Sequence, residues 1–246
     1  MVHKYKIAMH AHSVWSYDGS WTLKAIARLF GWLGFDAVMM SEHDTGFDPD
    51  QFGAYRKFCA AASTRSCQLI PGIEYSSPDN RVHILTWGLD HFLAEHRPVS
   101  ETLARVSEAG GVAIFAHPIR KSAWEIFDQN WVPYLSGIEL WNRKSDGIAP
   151  GAEARALLAQ TGLRATAGCD FHRLKQLYPL SNRFKSAQPL DEAMLVAALR
   201  GGQLCPYAFG RPLVTQAGEN RPTARHETAE RLRKGAVRLL RGSGSK

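Results

Sequence analysis

Short apolar segments alternate with amphipathic helical stretches along most of this chain, and that alternation restricts the fold more than any other feature. Strands are predicted over 5–9, 37–40, 68–73, 82–87, 112–115, 137–141 and 164–167, and helices over 22–33, 49–62, 100–108, 151–160 and 190–199. Ser20 and Thr22 stand ahead of the first helix, Pro49 opens the second and Ser100 begins the third, as caps and first-turn residues do. Gly34, the Gly110-Gly111 pair and Gly162 follow helices at positions where a left-handed residue ends them. Strand–helix alternation produces βαβ units and a mainly parallel sheet. Seven strands with five helices fit an irregular α/β barrel, of the (β/α)7 kind, better than an open sheet.

Composition narrows the class further. The 246 residues are 45% apolar and 22% charged, an ordinary globular balance that excludes fibrous and disordered chains. Four cysteines (Cys59, Cys67, Cys169 and Cys205) form no CxxC pair, which points to a reducing, cytoplasmic setting without disulfide staples. The first residues lack the apolar core of a signal peptide, and no later run reaches membrane-spanning length. Of the net charge of +7, residues 211–246 carry +6, so the basic character belongs to a tail. Residues 1–210 are read as the barrel and 211–246 as a basic tail, partly helical or disordered. Leu232, Val237, Leu239 and Leu240 give that tail a partial apolar face, and the last five residues read as a flexible end. The tail is read as a solvated helix, with docking on nucleic acid or an anionic membrane as the other reading. The sequence carries no marker of an oligomeric state.

The polar residues are placed non-randomly. His10-Ala-His12 and then Asp18 follow the first strand, and Glu42-His43-Asp44 follows the second. The third ends on Glu74, the fourth contains His83, and the fifth runs into Ala116-His117-Pro118. Glu139 and Asn142 belong to the sixth, and Asp170-Phe171-His172 closes the seventh. In a parallel barrel the carboxyl ends of the strands share one rim, so these groups would converge there. Residues two apart on a strand face the same way, which pairs His10 with His12 and Asp170 with His172. Imidazoles mixed with carboxylates suit Zn²⁺, Mn²⁺ or Fe²⁺ rather than Ca²⁺ or Mg²⁺. Six histidines with Asp18, Glu74 and Asp170 exceed the shell of one ion and imply two or three. A lone HxH pair is usually ordinary sequence; six such histidines at strand ends are not a packing accident. No GxSxG elbow, P-loop or GxGxxG is present. Asp44, Asp48 and Asp50 lack calcium-loop register and are read as a capped loop, while Phe30 and Trp32 are read as core.

Taken in order, HxHS…DG, EH, GxE, HxL, AHP, E..N and GCDxH resemble the polymerase-and-histidinol-phosphatase (PHP) family of metal-dependent phosphoesterases, over His10 to His172. The resemblance implies an irregular seven-stranded barrel with two or three metal ions at its rim. It implies that His10, His12, Glu74 and Asp170 hold one ion and that Glu74, His83 and His117 hold a second, with Glu74 bridging. Asp18, His43 and His172 would hold a third or orient water and substrate, and Asp18 or His43 would serve as general acid–base. Two departures stand out: Tyr17 is inserted ahead of Asp18, and only 33 residues separate His83 from His117. That leaves no room for the helical insertion of nucleotide-directed members. Cys169, in place of the common serine, reads as a packing residue. The implied activity is hydrolysis of a phosphate ester by metal-activated water, with Arg120, Lys121 and Arg143 as candidate phosphate clamps. A small phosphomonoester is the expected substrate; nucleic-acid ends, or an amide or lactone cleaved on the same barrel, are the alternatives. Removal of the chain after Arg211 is expected to leave small-substrate hydrolysis intact.

Overall fold

The computed structural model describes residues 2–215 and 217–242. The chain runs β1 (His3–Ala11), α1 (Leu23–Trp32), β2 (Ala37–Met40), β3 (Glu42–His43), α2 (Phe52–Ala62), β4 (Gln68–Ile70), β5 (Gly72–Ser76) and β6 (His83–Trp87). It continues through α3 (Val99–Glu108), β7 (Val112–Phe115), β8 (Gly137–Asn142), α4 (Arg143–Asp146), α5 (Ala152–Thr161) and β9 (Ala165–Gly168). It ends with β10 (Leu180–Ser186), α6 (Glu192–Arg200), β11 (Cys205–Ala208), β12 (Arg211–Pro212) and α7 (Ala224–Gly242).

The strands form two six-stranded sheets that are in fact one closed wall. β2 runs into β3 across Ser41, and β4 runs into β5 across Pro71, whose missing N–H breaks the ladder. On the far side β9 returns to β1: Cys169 N–H donates to Met9 C=O at 3.2 Å, Phe171 N–H to His10 C=O at 3.0 Å and His12 N–H to Phe171 C=O at 2.9 Å. The result is a barrel of seven staves, β1, β2–β3, β4–β5, β6, β7, β8 and β9. Neighbours are parallel except around β6, which runs antiparallel to both β5 and β7. The mainly parallel expectation fails there because residues 77–82 form a tight turn, too short for a crossover. The sequence reading also lacked β10, which pairs antiparallel with the first half of β1. The buried Asn182 of β10 stands in for a strand partner, accepting from Ala167 N–H at 2.9 Å and donating to Ala167 C=O at 2.7 Å.

Helices α1, α2, α3 and α5 coat the wall, each laying an apolar stripe on the sheet. In α1, capped by Thr22, that stripe is Leu23, Ile26, Ala27 and Phe30. Trp32 was expected in the core, but it is 82% exposed on the opposite face of α1. Ser100 does not cap α3, which starts a residue earlier, after Pro98. Inside the barrel, Ile7, Met9, Met39, Ile70, Leu85, Trp87 and Ile114 make an apolar plug closed from beneath by Leu195, Val196 and Leu199 of α6. Gly72 has no room for a side chain, since a Cβ there would sit 2.4 Å from the Trp87 indole. The apolar plug leaves only the upper rim for polar chemistry.

The segment from Arg211 onward touches the barrel at a few points, with Leu213, Val214, Thr223 and Glu230 buried and residues 231–236 exposed. Arg155 of α5 pairs with Glu227 of α7 at 2.7 Å, and His226 meets the Trp141 ring edge-on with centroids 5.3 Å apart. Of the terminal five residues, 243–246 lie outside the described residues. No described helix is long and apolar enough to cross a membrane.

Candidate metal centre

The upper rim is built by bulges. Ile7 and Met9 point into the barrel while Ala8 belongs to the outer layer. Strict alternation would therefore aim His10 and His12 outward. His10 instead has φ of 64°, and the β1–β2 register slips between Met9 and Ala11, which turns both imidazoles inward. His117 and Asp170 also have left-handed backbone, with φ of 26° and 49°. Each such non-glycine residue costs about 1–3 kcal/mol, and three at one rim mark a functional site.

Glu74 of β5 occupies the centre. Its Oε1 lies 2.7 Å from His83 Nδ1 and 2.8 Å from His117 Nε2. Its Oε2 lies 3.3 Å from His10 Nε2, 3.4 Å from His12 Nε2 and 3.2 Å from His43 Nδ1. Asp170 Oδ1 is 3.6 Å from His12 Nε2 and 3.8 Å from His10 Nε2. Asp18 reaches across the mouth to His43 at 3.4 Å and His172 at 3.0 Å. The reversal of β6 is what brings His83 to this rim, since it is the first residue of that strand.

Four triads have ligand atoms close enough to share an ion: His10–His12–Glu74, Glu74–His83–His117, His10–His117–Asp170 and His12–His43–His172. The chemistry of the donors fits cations. His10 Nε2 and His12 Nε2 are buried with no hydrogen-bond partner. Leaving such groups unpaired costs about 1–3 kcal/mol each. Supporting groups hold the ligands in place: His10 Nδ1 is 2.9 Å from Glu139 Oε1, whose Oε2 accepts from His117 N–H at 2.8 Å and Asn142 Nδ2 at 3.0 Å. Glu42 accepts from the hydroxyls of Ser13 at 2.7 Å and Ser16 at 2.5 Å, fixing the loop between His12 and Asp18.

Ionisation follows from burial and neighbours. Burial opposes charge on His10, but Glu139, Asp170 and Glu74 outweigh it and raise its pKa well above the ordinary value. Burial, with His43 and His172 alongside, pulls His12 well below it. His83 is pushed down to about 4, chiefly by burial and against the pull of Glu74, so its ring is neutral at pH 7. Glu74 is held far below the carboxylate range: burial opposes this, and His10 and His83 prevail. Asp18 is lowered too, its hydrogen bonds from His172 and His43 overcoming burial.

A cavity of about 170 Å³ opens over these ligands. Tyr17, Asp18, Asn80, Arg120, Lys144 and Ser145 are among its walls. The Tyr17 ring is 71% exposed at the mouth and stacks on His43 with centroids 5.0 Å apart. Arg120 is held by Asn80, with Nη1 3.0 Å from the backbone oxygen and Nη2 3.1 Å from Oδ1. Arg143 is not brought into the cavity; its guanidinium lies over the Tyr178 ring, 5.1 Å from the centroid. Lys121 is also outside the lining, on a segment with φ of 48°. The sequence reading missed Lys144, whose Nζ is 3.3 Å from Asp170 Oδ1 and 3.2 Å from His172 Nε2. Its only signal was its place two residues after Asn142, next to Arg143. Asp48 caps the turn at Asp50, and Asp44 accepts from Ser76 N–H, so neither belongs to an ion loop. Two larger surface grooves, of about 440 Å³ by Arg56 and 400 Å³ by Phe58, carry no such cluster.

No family model and no curated protein sequence matches the chain. Solved structures do. The fold is similar to a two-domain protein from Bacteroides vulgatus containing a predicted PHP-like metal-dependent phosphoesterase, with a TM-score of 0.64 and 17% identity over 84% of this chain. The chain spans 65% of that protein. PsfC from Pseudomonas syringae gives a TM-score of 0.62 at 13% identity, covering 96% of this chain and 99% of its own. The lesion-specific endonuclease PfuEndoQ from Pyrococcus furiosus gives 0.59 at 16% identity, covering 86% of this chain and 58% of its own. At such identities the likeness establishes architecture alone: the chain shares the fold of these proteins, here an irregular α/β barrel.

Proposed function

We propose that this protein is a metal-dependent phosphoesterase whose substrate is a small phosphomonoester. The observation that carries the reading is the set of inward-facing ring nitrogens without partners around Glu74, in a cavity whose wall also holds the Arg120 guanidinium. His10, His12, Glu74 and Asp170 would hold one divalent ion, and Glu74, His83 and His117 a second. Asp18, His43 and His172 are the candidates for a third, with Mn²⁺, Zn²⁺ or Fe²⁺ suited to this mixture of nitrogen and oxygen. Bound there, such ions acidify water and offset charge on phosphoryl oxygens. Arg120, fixed by Asn80, offers charge-assisted hydrogen bonds to the phosphoryl group. Where it does not ligate an ion, Asp18, 34% exposed on the cavity wall beside His43 and His172, is placed to take the proton of an attacking water. His43, bonded to Asp18, is placed to carry that proton onward. A cavity of about 170 Å³ favours a small leaving group over a polymer end. All four thiols are free, which supports the cytoplasm as the working compartment.

Elemental mass spectrometry on protein purified without chelator, paired with hydrolysis of an aryl phosphate before and after Mn²⁺ addition, tests the reading. Bound ions with metal-dependent phosphate release are expected, and Asp18→Asn should lower kcat by about 10²–10⁴. Loaded metal without release from any phosphate would shift the reading to an amide or lactone hydrolase. Release only from oligonucleotide ends would favour a nuclease.

A further inference from the structure

The C-terminal helix α7 grips the peptide that follows α4, the turn carrying Lys144. Glu230 of α7 is buried, and its Oε2 accepts the Ile148 N–H at 3.2 Å. Gly147, with φ of 82°, lets the carboxylate approach, since a Cβ there would stand 2.6 Å from Glu230 Oε1. Arg233 fastens the same carboxylate through two contacts, at 2.7 and 2.6 Å. From the other side the Trp141 indole N–H donates to Gly147 C=O at 3.1 Å. The clamped peptide directly follows α4, a single turn capped by Asn142. Lys144 and Ser145, both on that turn, line the cavity.

We propose that Lys144 is a second phosphate-contacting cation, across the ligand cluster from Arg120, and that Glu230 is a positioning residue holding it there from α7. The identity of the anion rests on the phosphoesterase reading; the clamp itself does not. Lys144 has a short tether to a pinned turn, and its ammonium already lies against Asp170 and His172, so little order is lost when it meets an anion. The same contact makes the chain beyond Arg211 part of the working site, against the expectation that its removal is silent.

The test uses the full metal-loaded chain and the variants Lys144→Ala, Glu230→Ala, Glu230→Gln and the Lys144→Ala/Glu230→Ala double. Titration calorimetry with inorganic phosphate, KM and kcat for an aryl phosphate, metal content, and hydrogen–deuterium exchange over 143–148 are read together. Lys144→Ala should weaken phosphate binding and raise KM about tenfold with metal content unchanged. Glu230→Ala should act in the same direction, speed exchange over 143–148, and add nothing in the double. Glu230→Gln keeps an acceptor for Ile148 N–H and should retain most of the affinity. Wild-type phosphate affinity in Lys144→Ala, multiplicative losses in the double, or unchanged exchange in Glu230→Ala would each overturn the proposal. A wild-type chain that releases no phosphate sinks the hydrolase reading instead, while the exchange and phosphate titrations still decide the clamp.

Discussion

At the scale of single residues, the site depends on groups that never meet substrate. Glu139 ties His10, His117 and Asn142 together through its two oxygens. Glu139→Ala should weaken metal binding about 10- to 100-fold, because a ligand imidazole loses the partner that sets its orientation. Competition against a chromophoric chelator measures this, and an unchanged affinity would mean the contact is incidental. Asp146 poses a different problem: burial lifts its carboxyl to about 8. The unfolded chain ionises it near about 3.9. Between those values the folded state keeps a proton that the unfolded state has released, so this residue's contribution falls as pH rises across the window. Asp146→Asn cannot ionise. Thermal melts at pH 5 and pH 8 should therefore show the variant's Tm rising relative to the wild type's as pH rises; a variant that loses ground to the wild type over that range would refute the assignment.

At the scale of elements, the barrel closes near the rim through β9–β1 hydrogen bonds, and below it β10 fills the gap. Below the rim β1 turns from β9 to pair with β10, and the Asn182 side chain satisfies both backbone groups of Ala167. Asn182→Ala would orphan a buried N–H and a buried C=O, at about 1–3 kcal/mol each. Urea unfolding should show a loss of about 2–6 kcal/mol on that basis, and a loss below about 1 kcal/mol would show that β9 finds other partners. The strands β1, β2, β7, β8 and β9 were legible because their apolar runs are short, punctuated and flanked by helix signals. β10 was not, because LSNRFKS mixes polar and apolar residues in a segment half covered by neighbours. The direction of β6 was equally hidden. Hydropathy reports burial, which is the same for a strand run either way.

For the whole molecule, the cluster of buried imidazoles and carboxylates ties stability to metal. A ligand at 1,000 times its dissociation constant stabilises by about 4 kcal/mol, which in a chain of this size raises Tm by about 8–16 °C. Chelator-stripped protein should melt lower by that order and recover with Mn²⁺ or Zn²⁺; a Tm indifferent to both would mean the rim does not bind cations. The sequence alone determined the donors, because residue chemistry does not depend on the fold, and it determined the strand–helix alternation, because apolar periodicity reflects local geometry. It did not determine which way the donors face. His10 and His12 enter the barrel through a one-residue bulge that no residue type announces. Arg143 and Lys144 are adjacent basic residues on one helical turn, where a single step rotates a side chain by about 100°. Only packing decides between them: Tyr178 takes the guanidinium, the turn pinned at Gly147 and Ile148 sets the phase, and Lys144 is the one that meets the site.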